Sequence, residues 1–164
     1  MPSSRSRRAR IGQNLESLEA RLVLDSTVVF NEVMYHPLGD APGMEYVELH
    51  NQMAIDMDLS GWSLAGGIDY KFPTGTVVAG GGYLVVAADP NALGVPGALG
   101  PFTGALSNSG EAIDLINNSA RVMDSIDYRD AGVWPAGADG SGASTAGALR
   151  PDRTAVPSGE FVDK

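Results

Sequence analysis

The segment DMDLSG carries side chains of the kind that bind hard cations. It places carboxylate or hydroxyl oxygens at Asp56, Asp58 and Ser60, as in the first half of an oxygen-ligand calcium loop. The bidentate glutamate that closes such a loop at its twelfth position is missing, because Gly67 stands there. The segment is therefore either a calcium site or, as we favour, a polar turn in which Asp58 or Ser60 accepts backbone N–H bonds.

Three glutamates form a second group of candidate oxygen ligands. Glu32, Glu45 and Glu48 lie on two neighbouring predicted strands, so folding would bring their carboxylates towards one another. Carboxylate oxygens are ligands that Ca²⁺ takes in proteins. These glutamates and the DMDLSG oxygens are the candidate metal ligands of the sequence, and the sequence indicates no cofactor other than calcium.

Catalytic chemistry has little support in the sequence. A Ser/His/Asp triad would have to use one of only two histidines, His36 and His50. Glu32, His36 and Asp40 have a metal-like spacing of four, but Pro37 breaks the helix that this spacing needs. The chain has no cysteine, which excludes disulfides, thiolate metal sites and a thiol nucleophile. We therefore predict that the protein is not an enzyme.

Charge is divided unevenly along the chain. Residues 1–21 carry five arginines and two glutamates, a net charge of +3, and the whole chain carries −9, which leaves −12 on residues 22–164. An acidic body repels a phosphate backbone, so we expect no nucleic-acid partner. The chain also has no apolar run of the roughly 18 residues that a membrane helix needs. We therefore predict no transmembrane segment.

Short segments with a period of two follow one another from Thr27 onwards and predict antiparallel strands. The predicted strands are 28–35, 45–50, a strand from Trp62, 70–72, 76–78, 83–88, 111–116 and 121–128, with a further short strand near 102–106 in a long loop over 91–110. Strict alternation in the first strand places Val28, Phe30, Glu32 and Met34 on one face and Val29, Asn31, Val33 and Tyr35 on the other. The continuous apolar character of 83–88 predicts burial on both faces.

Two residues within these strands have predicted structural roles. Trp62 is expected in the core, since a large aromatic side chain buries much apolar area at the centre of a sandwich. Asp124 is in phase with Ile126 and Tyr128 and would face the core, where an unpaired carboxylate is costly. Either a bulge turns Asp124 outward or it accepts backbone N–H bonds at a sheet corner, and we favour the second.

The chain divides into a basic leader over 1–26, a central domain over 27–130 and a flexible tail or linker over 131–164. In the leader, Ile11, Leu15, Leu18 and Leu22 are spaced as one stripe of a short amphipathic helix. We interpret this helix as a targeting or docking segment, and the alternative is a solvated tail. The apolar stretch of a conventional signal peptide is absent.

Two families share the motifs of this chain. The leader segment LESLEARLVLDS resembles the N-terminal motif of large exported or surface bacterial proteins. The ordered motifs NEVMY, EYVELHN, LSGWSL, FPTGTVVAGGGYLVVAADP, GPFTGALSNSGEAIDLIN and VMDSIDY, over about residues 27–130, resemble the lamin-tail domain of bacterial type. The resemblance implies an all-β, immunoglobulin-like antiparallel sandwich that has no shared active site, in a protein that is secreted or on the cell surface.

The resemblance also sets the expected function. We predict a noncatalytic structural or interaction module, extracellular or at the cell surface, that binds protein or glycan through loops and edge strands. One alternative is an accessory domain of a secreted hydrolase whose catalytic part is not in this chain. Another is a calcium-binding adhesive domain. A cytoplasmic location stays open, because no conventional signal peptide precedes the domain.

Overall fold

The computed structural model describes residues 27–39 and 41–129, which form ten strands and two short helical turns. The strands are β1 Val28–Met34, β2 Tyr46–Asn51, β3 Met57–Asp58, β4 Ser63–Gly66, β5 Ile68–Lys71, β6 Val77–Val78, β7 Tyr83–Ala87, β8 Thr103–Gly104, β9 Gly110–Ile116 and β10 Val122–Arg129. A 3₁₀ turn spans Pro42–Met44, and the helix α1 spans Pro90–Leu93. The predicted leader helix and the predicted C-terminal tail lie outside the described residues.

The strands form two antiparallel sheets and a small ribbon. The first sheet has the order β1-β2-β7, and the second has the order β10-β9-β4-β5-β8. The ribbon pairs β3 with β6. β1, at the edge of the first sheet, lies against β10, at the edge of the second. This arrangement confirms the predicted all-β antiparallel sandwich.

The core lies between the two sheets and takes one face of each long strand. In β2, Val47 and Leu49 point inward and are fully buried, as the alternation predicts. Trp62 is also buried, which confirms its predicted place in the core. The second sheet contributes the buried side chains Leu64, Ile68, Ile113, Leu115, Ile126 and Tyr128.

The first strand departs from the predicted strict alternation. The register between β1 and β2 slips at Asn31, where β1 contains one residue more than its partner. Such a bulge reverses which face the following side chains occupy. The core therefore takes Val28 and Phe30 before the bulge but Val33 and Tyr35 after it. The prediction that Val28 and Phe30 lie on the opposite face of β1 from Val33 and Tyr35 was wrong for this reason.

Asp124 joins the edges of the two sheets. Its side chain is buried, and its Oδ2 accepts a hydrogen bond of 2.9 Å from the Phe30 backbone N–H. Phe30 lies in an edge strand, which has β2 on one side only. Its N–H is bonded to Asp124 rather than to β2. The structure thus confirms the favoured role of Asp124 as an acceptor for backbone N–H. It does so next to the bulge in β1.

Asn51 is a structural residue that the sequence did not predict. The predicted strand over 45–50 ends one residue earlier, whereas Asn51 is the last residue of β2 and is fully buried. Its Nδ2 donates to the carbonyl oxygens of Ile55, Val78 and Ala79 at 2.8–3.1 Å. Its Oδ1 accepts from the Met53 N–H at 3.0 Å. One amide therefore holds together the loops that follow β2 and β6.

Three smaller features were not predicted from the sequence. Tyr83, in a strand predicted to be buried on both faces, is 57% exposed because β7 lies at a sheet edge. The loop over 91–110 begins with α1, whose N-cap Asp89 accepts from two backbone N–H groups. In the hairpin between β9 and β10, Ala120 has a positive φ, and Asn117 Oδ1 accepts from the Ser119 and Arg121 N–H groups.

Removing the Asp124 carboxylate should destabilise the fold. In Asp124→Ala the buried Phe30 N–H loses its acceptor, so the free energy of unfolding should fall by about 2 kcal/mol. Asp127→Ala is the matched control, since Asp127 lies in the same strand with a side chain that is 60% exposed. Urea titrations of both variants measure the difference. Equal stability of Asp124→Ala and the control would contradict the role given to Asp124.

Candidate functional site

The DMDLSG segment forms a hydrogen-bonded turn. Asp58 Oδ1 accepts from the Ser60 N–H at 2.8 Å and from the Ser60 hydroxyl, and both donors lower the pKa of the Asp58 carboxyl. Ser60 Oγ accepts from the Gly75 N–H at 2.8 Å. Asp56 instead accepts from the Gly80 N–H at 3.0 Å. The predicted turn is confirmed, and calcium binding by these oxygens stays a prediction.

The three candidate glutamates separate into two places. Glu32 and Glu48 are directly opposite each other in β1 and β2, whereas Glu45 is buried at the start of β2. Across the described ranges, no group of three or more His, Asp or Glu side chains is arranged to hold a metal ion. The structure therefore brings two of the three glutamates together, without a third acidic or histidine ligand beside them.

Glu32 and Glu48 each accept a hydrogen bond from a neutral side chain. Asn31 Nδ2 donates to Glu48 Oε1 at 2.7 Å, and the Tyr46 hydroxyl donates to Glu32 Oε1. Asn31 is the bulged residue of β1, so the bulge supplies the donor for Glu48. Both carboxylates are thereby fixed in orientation while they remain partly exposed.

A stacked pair of rings continues this surface. His50 and Tyr83 are register partners in β2 and β7, and their rings stack with centroids 4.4 Å apart at 12°. Alternation along β2 places His50 on the same side as Glu48 and Tyr46. We call this surface the sheet face and define it by Asn31, Glu32, Tyr46, Glu48, His50 and Tyr83.

The sheet face combines two kinds of recognition group. Tyr83 presents an exposed aromatic ring whose position is fixed by the stack on His50. Such a ring packs against apolar groups of a ligand and offers its hydroxyl for a hydrogen bond. Glu32 and Glu48 offer carboxylate oxygens, which make strong charge-assisted hydrogen bonds. The surface can therefore bind hydroxyl-rich or N–H-rich partners without a metal.

Glu45 occupies a different environment at the opposite end of β2. It is 6% exposed, and its Oε2 accepts from the Leu106 N–H at 2.9 Å. Burial raises the pKa of the Glu45 carboxyl, and the nearby Glu111 carboxylate raises it further, against the opposing effect of the Leu106 N–H. The carboxylate is thus held in place by one backbone group in surroundings that disfavour its negative charge.

Glu111 belongs to a partly buried polar cluster beside Glu45. The Tyr128 hydroxyl lies 2.9 Å from Glu111 Oε1 and 3.0 Å from the Ser107 carbonyl oxygen. The Tyr128 ring stacks on Tyr35 at a centroid distance of 4.7 Å, and burial raises the pKa of Tyr128. Gly67 leaves the space for the carboxylate, since a Cβ there would lie 1.8 Å from Glu111 Oε2.

A depression of about 330 Å³ opens beside Glu45. We call it the cleft, and its lining residues are His36, Pro37, Pro42, Glu45, Leu106 and Asn108. The loop after β1, the 3₁₀ turn and the segment before β9 supply these residues. The cleft and the sheet face are separate surfaces, because Tyr83 pairs with His50 near the far end of β2 from Glu45.

Comparison with protein families gives one match. A family model described as the Lamin Tail Domain matches residues 25–130, about two thirds of the chain. The chain belongs to the lamin tail domain family. This membership confirms the family that the sequence motifs indicated, and the lamin tail domain is an immunoglobulin-like, noncatalytic domain. The sandwich described above is therefore an immunoglobulin-like fold.

A search of curated proteins found no significant match. Within residues 27–39 and 41–129, no helix has the length and apolar character needed to cross a membrane.

Sequence reasoning missed most residues of the sheet face. Glu32 and Glu48 were predicted as ligands, but His50 and Tyr83 were not recognised as an exposed pair. The available signal was their alternation with the buried Leu49 and the glycines before Tyr83, which mark a strand beginning at a turn. The exposure of Tyr83 depends on β7 being an edge strand, and strand order is a property of the whole fold.

The raised pKa of Glu45 predicts a pH-dependent contribution to stability. The folded lamin tail domain binds a proton at Glu45 more tightly than the unfolded chain does, so this group favours folding most at low pH. That contribution falls as pH rises from the ordinary value of 4.5 through the folded pKa. In Glu45→Gln, the amide oxygen can accept from Leu106 without a charge. We expect this variant to exceed the wild type in stability at pH 7.

Urea titrations at several pH values between 4.5 and 7 measure this effect. The stability gain of Glu45→Gln should shrink as the pH is lowered, because wild-type Glu45 becomes neutral as well. Asp69→Asn, at an exposed position of β5, makes the corresponding change on the surface and serves as the control. A gain for Glu45→Gln that does not change with pH would contradict the assignment.

Proposed function

We propose that this lamin tail domain is an interaction module, exported or at the cell surface, that binds a protein or glycan partner through its sheet face. The observation that supports the proposal most directly is the stacked His50–Tyr83 pair. Tyr83 is more than half exposed, although its ring is already held in one orientation. Polar side chains with fixed hydrogen bonds lie on the same face.

Pre-organisation makes this surface suitable for binding. Ordering a mobile side chain at an interface costs about 0.5–1.5 kcal/mol, which weakens association. Asn31, Glu48, Tyr46 and Glu32 are already linked in pairs, and Tyr83 is already stacked. A partner therefore meets groups that need little further ordering, and more of the contact energy contributes to affinity.

Exposed apolar side chains lie on the loop after β2 and on the ribbon of β3 and β6. Met53, Ile55 and Val77 are all exposed, and the Gly81 N–H donates to the Met53 carbonyl, which brings the loop after β2 close to the start of β7. Exposed apolar side chains next to an aromatic residue are typical of the central part of protein interfaces. This neighbourhood supports a protein partner, while the carboxylates and the ring equally suit a glycan.

Two properties of the sequence support a location outside the cytoplasm. The leader resembles the N-terminal motif of exported or surface bacterial proteins, and the body after residue 21 carries a net charge of −12. An acidic body favours solubility and disfavours binding to nucleic acid.

Substitution of Tyr83 tests the binding surface. The wild-type chain is first screened against immobilised glycans and surface-protein extracts, and the captured partner is then titrated with variants. Tyr83→Ala should weaken binding at least tenfold, equivalent to about 1.4 kcal/mol, because the stacked ring is lost. Stability should change little, because the side chain is largely exposed.

Two further variants make this result specific. Tyr83→Phe keeps the ring and should retain most of the affinity, whereas Asp69→Asn on the other sheet should bind as the wild type does. Unchanged binding by Tyr83→Ala would show that the sheet face is not the binding surface. Loss of binding by Asp69→Asn as well would contradict the proposal in the same way.

Location is tested separately in native cells. We expect an antibody against residues 27–130 to label intact cells or to detect the protein in the medium. Protease added outside the cells should remove the signal from the surface, while a cytosolic marker protein stays intact. Protection of the domain until the cells are lysed would overturn the proposed location but would leave the sheet face as a binding surface.

A further inference from the structure

The cleft beside Glu45 holds a carboxylate whose hydrogen bonding is incomplete. Glu45 makes its one hydrogen bond through Oε2, to Leu106. Among the described residues, every fully buried side-chain nitrogen or oxygen has a hydrogen-bond partner. Oε1 of Glu45 therefore keeps contact with solvent, and Glu45 lines the cleft. Glu45 is 6% exposed, and its exposed surface includes this oxygen.

The described part of the chain supplies no cation to this oxygen. Its lysine and arginine residues are Lys71, Arg121 and Arg129, and a histidine, His36, also lines the cleft. None of these four residues forms an ion pair with Glu45. The charge that acts on Glu45 is the negative charge of Glu111. Within the described residues the Glu45 carboxylate therefore has no cationic partner, and the low-dielectric walls of the cleft strengthen its negative potential.

We propose that the cleft binds the ammonium group of a lysine side chain from a partner protein. Pro37, Pro42 and Leu106 provide apolar walls against which the methylene stem of a lysine can pack. Oε1 of Glu45 accepts from the ammonium at the end of that stem, and Asn108 offers an amide at the rim. Folding has already removed most water from this carboxylate, so binding requires little further desolvation of it.

The hydrogen bond to Leu106 makes lysine a better fit than arginine. A guanidinium binds a carboxylate most strongly when both oxygens accept from it in parallel. Oε2 is already taken by Leu106, which leaves one acceptor. An ammonium is a compact charge that needs only one such acceptor. The cleft therefore distinguishes the two cations by the number of hydrogen bonds that its carboxylate can still accept.

A titration of the full chain with small probes tests this site. The probes are the N-acetyl methylamides of lysine, arginine and norleucine, the last of which has an apolar side chain without the ammonium. The backbone amide signals of Leu106 and Asn108 are followed by NMR. We expect saturable shifts with lysine, binding at least fivefold weaker with arginine, and no binding with norleucine. Equal binding of norleucine and lysine would overturn the proposal.

Two variants and a measurement of the Glu45 pKa test whether the lysine probe binds at Glu45. Glu45→Gln should lose lysine binding at least tenfold, whereas Asp69→Asn should bind as the wild type does. In the wild type, saturating lysine probe should lower the pKa of Glu45, measured from its side-chain carboxyl carbon, because a nearby cation favours the ionised form. An unchanged pKa under saturation would overturn the proposal even if a variant failed to fold.

Glucosamine tests whether the ammonium can instead come from an amino sugar. Its ammonium group is attached directly to a ring and has no methylene stem, so it should bind more weakly than the lysine probe. Tighter binding of glucosamine would overturn the assignment to lysine. These experiments are independent of Tyr83 and the sheet face, so failure at either surface leaves the other proposal standing.

Discussion

The hydrogen bond from the Phe30 N–H to the Asp124 carboxylate is the interaction on which the rest of the structure depends. It joins the edge strand of one sheet to the edge strand of the other, next to the bulge at Asn31. The bulge turns Val33 and Tyr35 into the core and gives Glu48 its donor on the outer surface. Sheet closure, core composition and the polar part of the sheet face are therefore linked through a few residues of β1.

In this acidic domain, backbone N–H groups rather than cations stabilise several carboxylates. Asp58 and Asp124 accept from backbone groups, while the exposed pair of Arg129 and Asp127 contributes little to stability. Carboxylates used in this way fix irregular backbone at turns and sheet edges. Glu45 differs because one of its oxygens stays open to the cleft, which makes it a site for a charge from outside.

Local pattern predicted much of the fold, because strand period and turn residues are local signals. The strands, the core position of Trp62 and the role of Asp124 followed from alternation and from the cost of burying a carboxylate. The bulge at Asn31 was not predicted. Strict alternation assumes that paired strands contain equal numbers of residues, and the extra residue is evident only from the pairing of β1 with β2. The exposure of Tyr83 was not predicted because it depends on the order of the strands. The burial of Asn51 was not predicted because its hydrogen-bond acceptors are carbonyl groups distant in the sequence.

Hydrogen exchange of the Phe30 amide tests the link between the two sheets most directly. This amide is bonded to a side chain from the other sheet rather than to a neighbouring strand. If Asp124 holds the sheets together, the Phe30 amide should exchange only through global unfolding, as slowly as the amides of the central strand β2. Rapid exchange of Phe30, while the β2 amides remain protected, would contradict this account.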